Sequence, residues 1–244
     1  MEWLETGVIG LDKYIKGIPA KKATAVVGSP GTGKTLMALS FAQKCIENDM
    51  SVRYIATEER VEDLLSEADA IGQKKLRKAL NDNFFINPIL DERTQEMDAF
   101  YVVEFHKIAK DFVSLIRDIP EETDVVIIDN LGVFTIGMDG AQYRDQIDFL
   151  IYKLSKMGMA SFIVIDEAIN AQLIQITLHS ASAAFRLFRA HDPYIGELVR
   201  VMDVMKVRNS PTPVNYLMYS ITERGLKIEG ETKGVQNPAM LSAR

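Results

Sequence analysis

Residues 28–35 read Gly28-Ser29-Pro30-Gly31-Thr32-Gly33-Lys34-Thr35 and fit the pattern G-x-x-x-x-G-K-[ST]. A short apolar run, Ala23 to Val27, precedes them, and a segment with helical spacing, Leu36 to Ile46, follows. Glycines permit a tight turn and let the backbone approach a ligand without a Cβ in the way. The amides of such a loop and of the following helix N-terminus converge on an anion. The stretch therefore predicts a phosphate-binding loop between a strand and a helix.

Two residues of this loop and one distant carboxylate would carry the chemistry. Lys34 would reach the β- and γ-phosphates of a nucleotide, and Thr35 would bind Mg²⁺. Asp129 ends a continuously apolar run, Val125 to Ile128, and would hold the same ion through water. An aspartate that ends a buried strand can instead cap a turn, and the residues alone leave both roles open.

Strand-like and helix-like segments alternate over most of the chain, which is typical of an α/β fold around a mostly parallel, twisted sheet flanked by helices. After Ile169 the pattern changes to strand-like runs with no long helix between them, which predicts added antiparallel strands. No repeat or linker divides the sequence, so we expect one domain over residues 1–230 and a loosely ordered tail over residues 231–244. The predicted strands are Ala23 to Val27, Ser51 to Ala56, Phe84 to Ile89, Val125 to Ile128, Ser161 to Ile165, Phe185 to Arg189, Leu198 to Val207 and Val214 to Ile221. The predicted helices are Leu36 to Ile46, Val61 to Ile71, Phe100 to Ile116 and Gln146 to Met157.

A pair of glutamates follows the second predicted strand, in the sequence Thr57-Glu58-Glu59. Hydrolysis of a phosphoanhydride needs a carboxylate that orients or deprotonates water near the γ-phosphate. Strand ends on the phosphate side of a parallel sheet are where such groups belong. Since neighbouring residues of a strand face opposite ways, we expect only one of the two to face the phosphate, Glu58 first and Glu59 as the alternate. The other interpretation is acidic charge that complements a helix dipole.

Composition excludes several classes of protein. Of the 244 residues, 47% are hydrophobic and 25% charged, which excludes a disordered chain, a collagen-like fibre and a disulfide scaffold. The net charge of −6 does not favour nucleic acid as the main ligand. The longest stretch without Asp, Glu, Lys or Arg, Ala168 to Phe185, is too polar to span a membrane, and the acidic N-terminus is not a secretory signal. Cys45 is the single cysteine, which fits a reducing, cytoplasmic setting, and the three histidines share no zinc-ligand spacing.

Several further motifs resemble the KaiC-like branch of the RecA superfamily of ATPases over nearly the whole chain. The motifs are Thr6-Gly7-Val8-Ile9-Gly10-Leu11-Asp12, Gly17-Ile18-Pro19, the phosphate loop, Thr57-Glu58-Glu59, Tyr143-Arg144, Ile165-Asp166-Glu167, Lys206-Val207-Arg208-Asn209-Ser210 and Ile221-Thr222-Glu223-Arg224-Gly225. The resemblance implies a RecA-like P-loop NTPase core that binds ATP and Mg²⁺ and hydrolyses ATP slowly at a subunit interface. Nucleotide state would then be coupled to oligomer assembly or to regulation of a partner. The chain departs from the family in two places, since Asp166 replaces a usual hydroxyl residue and Lys16 precedes a single glycine.

The resemblance also assigns site residues. The nucleotide would be bound by Gly28, Ser29, Pro30, Gly31, Thr32, Gly33, Lys34, Thr35, Leu36, Thr222 and Glu223. Thr35 and Asp129 would hold the metal, and Lys34, Glu58, Glu59, Lys206 and Arg208 would act in catalysis.

Lys206 and Arg208 are two residues apart in a strand-like stretch, so we expect them on one face. The resemblance implies that they reach the γ-phosphate of ATP bound to a neighbouring subunit, where they would neutralise charge developing in phosphoryl transfer. This implies a homo-oligomer, a ring or filament built from head-to-tail contacts. The alternative is a solvated basic pair on an edge strand.

Other interpretations stay open at this point. A non-hydrolysing ATP-binding switch and a recombinase paralogue that acts on single-stranded DNA are the rival functions. A basic cluster, residues 74–78, could contact nucleic acid or form a solvated face balanced by nearby acids. The stretch Ile169 to Phe185 is expected as a loop facing a ring channel, either a DNA-contacting or phosphorylatable loop or one that packs against a neighbour.

Overall fold

The strands and helices follow the predicted alternation. The structure is a computed structural model that describes residues 2–89, 116, 119–135, 137–192 and 196–232. The strands are β1 (Trp3–Leu4), β2 (Ile18–Pro19), β3 (Ala23–Gly28), β4 (Val52–Ala56), β5 (Phe84–Pro88), β6 (Val125–Asp129), β7 (Ala160–Asp166), β8 (Ala183–His191), β9 (Leu198–Val207), β10 (Leu217–Thr222) and β11 (Gly225–Glu231). The helices are α1 (Lys34–Glu47), α2 (Val61–Ala70), α3 (Lys75–Ala79), α4 (Gly140–Lys156) and α5 (Ala171–Ser180).

Nine of the described strands form one sheet in the order β11-β10-β9-β8-β3-β7-β6-β4-β5. All neighbours from β8 to β5 are parallel, whereas β9, β10 and β11 are antiparallel additions. The structure therefore confirms an α/β fold with a mostly parallel sheet and C-terminal antiparallel strands. Because the parallel strands point the same way, their carboxyl ends meet at one edge, where ligands bind in such folds.

Helices cover both faces of the central parallel strands, so β3, β6 and β7 are buried along almost their whole length. On one face α1 packs against the sheet, and Phe41 stacks on Phe162 with ring centroids 5.2 Å apart. On the other face α4 and α5 pack together, and the Tyr143 and Thr177 hydroxyls share a hydrogen bond of 2.5 Å. The buried apolar side chains on each face of the sheet form a core cluster. Removal of these side chains from water is the main favourable contribution to the free energy of folding.

Some predicted boundaries were wrong. Helix α1 begins at Lys34 inside the loop motif, and α4 begins six residues before the predicted Gln146, because the Asp139 side chain caps it. The strand predicted from Val214 begins only at Leu217, and Val214 is 99% exposed. Strand β11 and the short two-stranded sheet of β1 and β2 were not predicted.

The prediction of a loop over Ile169 to Phe185 was wrong, whereas its facing a ring channel stays a prediction. Ten of these residues form α5, and the stretch ends in the start of β8. The Asn170 side chain accepts a hydrogen bond from the Gln172 amide at 2.8 Å and so caps the helix. The buried side chains of α5 recur at helical spacing, so the helix packs against the core instead of extending into solvent. These side chains are Leu173, Ile174, Ile176, Thr177 and Leu178.

Other predictions fall partly beyond what the structure describes. The helix predicted over Phe100 to Ile116 lies, except for its last residue, outside the described residues. The predicted tail begins inside β11 at Glu231, and the Thr232 amide donates to the Tyr216 carbonyl at 2.8 Å, while residues 233–244 lie outside the described part. Among the described helices, none is long and apolar enough to cross a bilayer.

Candidate active site

The loop after β3 has the backbone shape that the motif predicts. Gly31 and Gly33 have φ angles of 73° and 94°, in the left-handed region that favours glycine. A Cβ on Gly28 would lie 2.2 Å from the Leu187 carbonyl oxygen of β8. The Thr32 hydroxyl donates to the Ser29 carbonyl at 2.7 Å and closes the turn. These positions require glycine for shape and leave the loop backbone accessible from the strand-end side.

The N-terminus of α1 is suited to an anion. No side chain of the described residues caps it, and its first turn carries no acidic residue. Its first backbone amides lack partners within the helix, and the helix dipole adds partial positive charge there. The loop is braced from outside by two β-strand side chains, since the Tyr219 hydroxyl donates to the Thr32 carbonyl at 2.5 Å and Arg189 donates to the Gly31 carbonyl at 3.0 Å.

Lys34 is buried beneath the loop, with 9% of the residue exposed. Its ammonium donates to the Ser29 carbonyl and to Asp166 Oδ2, both at 3.0 Å. The neighbouring Glu167 accepts from the Ser29 hydroxyl at 2.6 Å and pairs with Arg186 at 2.7 Å. The loop is therefore tied to the carboxyl end of β7 by two successive acids.

Thr35 and Asp129 lie together, as predicted for a metal site. Both side chains line the same small cavity, and the Tyr54 hydroxyl donates to Asp129 Oδ2 at 2.6 Å. Burial raises the pKa of Asp129, and the bonds from Tyr54 and Thr35 oppose that rise. A hydroxyl and a carboxylate beside a phosphate loop are oxygen donors of the kind that Mg²⁺ prefers, so the residues present fit this ion.

Glu58 and Glu59 both line one small cavity, together with Thr35 and Asp129. The cavity volume is about 20 Å³, enough for one water molecule. Strand β4 ends at Ala56, so the strand alternation used to separate the two glutamates does not extend to them, and which of them faces a phosphate stays a prediction. The two carboxylates nevertheless differ, since Glu58 is exposed and accepts from the Asn130 amide at 3.2 Å.

Glu59 lies deeper, between the cavity and α2. Burial first, and then the charges of Glu67 and Asp129, raise its pKa from 4.5 to about 7. Its buried Oε2 has no hydrogen-bond partner among the residues that the structure describes. Glu59 is thus an acid whose ionised form is disfavoured in the site.

Lys206 and Arg208 lie away from the loop of their own chain. Lys206 pairs in register with Ala184, and Ala184 with Ala25, three residues before Gly28. This register separates Lys206 from Gly28 by about 10 Å along the strands and about 10 Å across them. The Lys206 ammonium donates to the His179 carbonyl at the end of α5 at 2.9 Å, and burial together with Arg208 lowers its pKa.

Lys206 lies in β9 as predicted, whereas Arg208 lies just outside this strand. Strand β9 ends at Val207, and the Arg208 amide donates to the Ser182 carbonyl just beyond the strand. Arg208 is exposed and is close enough to lower the pKa of Lys206 electrostatically.

Thr222 is the last residue of β10, and Glu223 follows it in the turn to β11. The Thr222 hydroxyl donates to the Gly225 carbonyl at 2.9 Å, and Glu223 is exposed. The preceding Ile221 packs against Gly33 at the start of α1. Strand β10 therefore borders the loop through Ile221, whereas Glu223 lies beside Gly72 and the Thr222 hydroxyl is bonded across the turn.

Sequence reasoning missed the side chains that hold the site from other strands. Asp166, Glu167 and Tyr54 contact the predicted residues across 132, 138 and 75 positions of sequence. Their positions in the sequence could have indicated them, because each of the three residues follows or lies near the carboxyl end of a predicted strand. In the basic cluster, Arg77 pairs with Glu62 and Asp69, and Lys75 pairs with Glu47, as a solvated face requires.

Comparison with known proteins agrees with this geometry. UPF0273 proteins of Thermotoga maritima and Methanopyrus kandleri are 25% and 22% identical to the chain, over 92% and 95% of its length and 95% and 93% of theirs. A KaiC-like protein of Pyrococcus horikoshii has the same fold, with a TM-score of 0.70 at 19% identity over 93% of this chain and 98% of its own. The family described as "ATPase: KaiC" matches residues 4–233. The chain therefore belongs to the KaiC family of ATPases.

Proposed function

We propose that this protein binds ATP with Mg²⁺ at the loop before α1 and hydrolyses it where two copies meet. The observation that carries the proposal is the cluster around the loop, in which the Lys34 ammonium lies beneath the turn and Thr35 and Asp129 line one cavity beside it. The loop amides and Lys34 bind the β- and γ-phosphates. Thr35 and Asp129 would hold Mg²⁺, which neutralises charge on the phosphate oxygens when bound.

Glu58 orients the attacking water and takes up its proton. Its carboxylate is exposed beside the cavity and held by Asn130, whereas Glu59 lies against Glu67 and Tyr54 in the interior. Asn130 is itself held in place, because its backbone N–H donates to the Thr57 hydroxyl at 2.7 Å. This bond joins the ends of β4 and β6. A positioned base of this kind typically contributes about 10²–10⁴-fold to rate.

Lys206 and Arg208 complete the site of a neighbouring copy. Their separation from their own loop supports action in trans, since a lysine side chain cannot span about 14 Å of backbone offset. Cations delivered to the γ-phosphate stabilise the transition state for phosphoryl transfer. Nucleotide would thus bridge two copies, and its hydrolysis would weaken their contact.

Mixing two inactive variants tests this function directly. Lys34→Ala removes the phosphate site, and the double variant Lys206→Ala/Arg208→Ala removes the cations. Each alone should lose at least about 100-fold in ATP turnover. Their equimolar mixture should recover measurable turnover, because an intact loop then meets an intact cation pair. The measurement is phosphate release at several protein concentrations, with and without single-stranded DNA.

Lys78→Ala is the matched control, since Lys78 is an exposed lysine on α3. It should retain the turnover of the unaltered protein. Full turnover by the Lys206→Ala/Arg208→Ala variant would contradict action in trans. Negligible turnover of the unaltered protein at every concentration, despite bound ATP, would indicate a non-hydrolysing switch, and DNA-stimulated turnover would indicate the recombinase-like function.

A further inference from the structure

The carboxylate of Asp166 is held at both of its oxygen atoms beside the phosphate loop. Oδ2 accepts from Lys34 Nζ at 3.0 Å, and Oδ1 accepts from the Ala168 amide at 2.9 Å. Asp166 ends β7 and is in register with Gly28, the first residue of the loop motif. Its side chain is 19% exposed and that of Lys34 is 10% exposed. The Asp166 carboxylate is therefore held against the Lys34 ammonium, the group that would bind the nucleotide phosphates.

The strand order locates Asp166 relative to a bound nucleotide. Strand β7 lies between β3, which precedes the loop, and β6, which ends at Asp129. Glu58 follows β4, one strand further on. A phosphate chain that starts on the loop and ends before Glu58 must pass the end of β7. Lys34 contacts both the β- and the γ-phosphate of a triphosphate, so its partner Asp166 lies close to the γ-phosphate, which a diphosphate lacks.

A fixed negative charge there acts unequally on the two nucleotides. Asp166 and the γ-phosphate compete for Lys34 and repel each other, and charges interact more strongly in a partly buried site than in bulk water. The Ala168 amide favours keeping the carboxylate where it is, because moving it leaves that amide without its acceptor. The cost falls mainly on the ligand that carries the third phosphate.

We propose that Asp166 is a specificity-determining residue that lowers the affinity of this site for a nucleoside triphosphate relative to a diphosphate. The inference rests on the proposed function, since it requires nucleotide at the loop. It adds that the site is biased toward its own product. The diphosphate would therefore remain bound after hydrolysis and would have to be displaced by triphosphate.

Calorimetric titration tests the proposal without relying on turnover. ADP and the non-hydrolysable imido analogue of ATP are each titrated with Mg²⁺ into the unaltered protein, Asp166→Asn and Asp166→Thr. Asparagine keeps an oxygen for the Ala168 amide and removes the charge, and threonine is a second neutral replacement at a strand end. In both variants, the affinity for the analogue relative to ADP should rise by at least about tenfold.

Asp49→Asn is the control for loss of one negative charge. Asp49 is exposed in the turn after α1, at the end of the helix remote from the loop, and its φ of 58° suits asparagine. It should leave the affinity ratio unchanged. Thermal unfolding confirms that each variant is folded.

The results distinguish failure of the Asp166 role from failure of nucleotide binding at the loop. An affinity ratio in either folded Asp166 variant within about twofold of that of the unaltered protein overturns the specificity role and leaves nucleotide binding intact. Failure of the unaltered, folded protein to bind either nucleotide overturns the proposed function, and the inference with it.

Discussion

At the scale of single residues, the site separates two adjacent glutamates by their surroundings. Glu58→Gln should lower ATP turnover by at least about 100-fold while nucleotide affinity stays nearly constant, because the amide cannot accept a proton from water. Glu59→Gln should lower turnover by less than about tenfold. Steady-state turnover and equilibrium binding of the imido analogue measure the two effects. The reverse order of losses would make Glu59 the base.

The raised pKa of Glu59 has a measurable effect on stability. Between pH 4.5, its ordinary pKa, and about 7, its pKa in the folded protein, the folded chain holds a proton that the unfolded chain has released. This residue therefore makes the free energy of unfolding fall as pH rises through that window. Glu59→Gln should remove this pH-dependent decrease in the free energy of unfolding. The stability of the variant relative to the unaltered protein should therefore increase up to about pH 7 and then stay constant.

Urea unfolding in EDTA, without nucleotide, measures this difference at each pH. Glu62→Gln is the control, because Glu62 is an exposed glutamate of α2 in the same acidic region. A difference between Glu59→Gln and the unaltered protein that does not change with pH would show that Glu59 has an ordinary pKa.

At the scale of elements, the start of α4 depends on one side chain. Asp139 Oδ1 accepts from the Ala141 and Gln142 amides at 2.8 and 2.9 Å. Asp139→Ala should lower the free energy of unfolding by about 1 kcal/mol, since two helix amides lose their acceptor. Asp145→Ala, an exposed aspartate within the same helix, should change it by less than about 0.5 kcal/mol. Equal losses in denaturant unfolding would contradict the capping role.

Elements with strong local signals were predictable from sequence, and weaker ones were not. The glycines of the loop and the apolar run before Asp129 are local patterns, and the structure has the loop and β6 where they indicate. The sequence prediction lacks helix α5, although Asn170 and the spacing of the apolar residues are also local signals, because the resemblance implies a loop over this stretch. Local capping chemistry outweighed that resemblance.

At the scale of the whole molecule, the unpredicted part of the site comes from strand order. The contact of Lys34 with Asp166 exists because β7 inserts between β3 and β6, which no local pattern encodes. The pairing of Tyr54 with Asp129 likewise depends on β4 lying beside β6. Sequence could place each chemical group at a strand end, and only the order of the strands determines which groups meet.

If Lys206 and Arg208 act on a neighbouring copy, as proposed, the distance between Gly28 and Lys206 within one chain sets how activity depends on the number of copies. A row of n copies joined by repeating one contact has n − 1 completed junctions, whereas a closed circle has n. Activity per copy would then be zero for a lone chain, half of its maximum for a pair and complete only on closure. Counting active junctions against particle mass would therefore reveal whether the row closes.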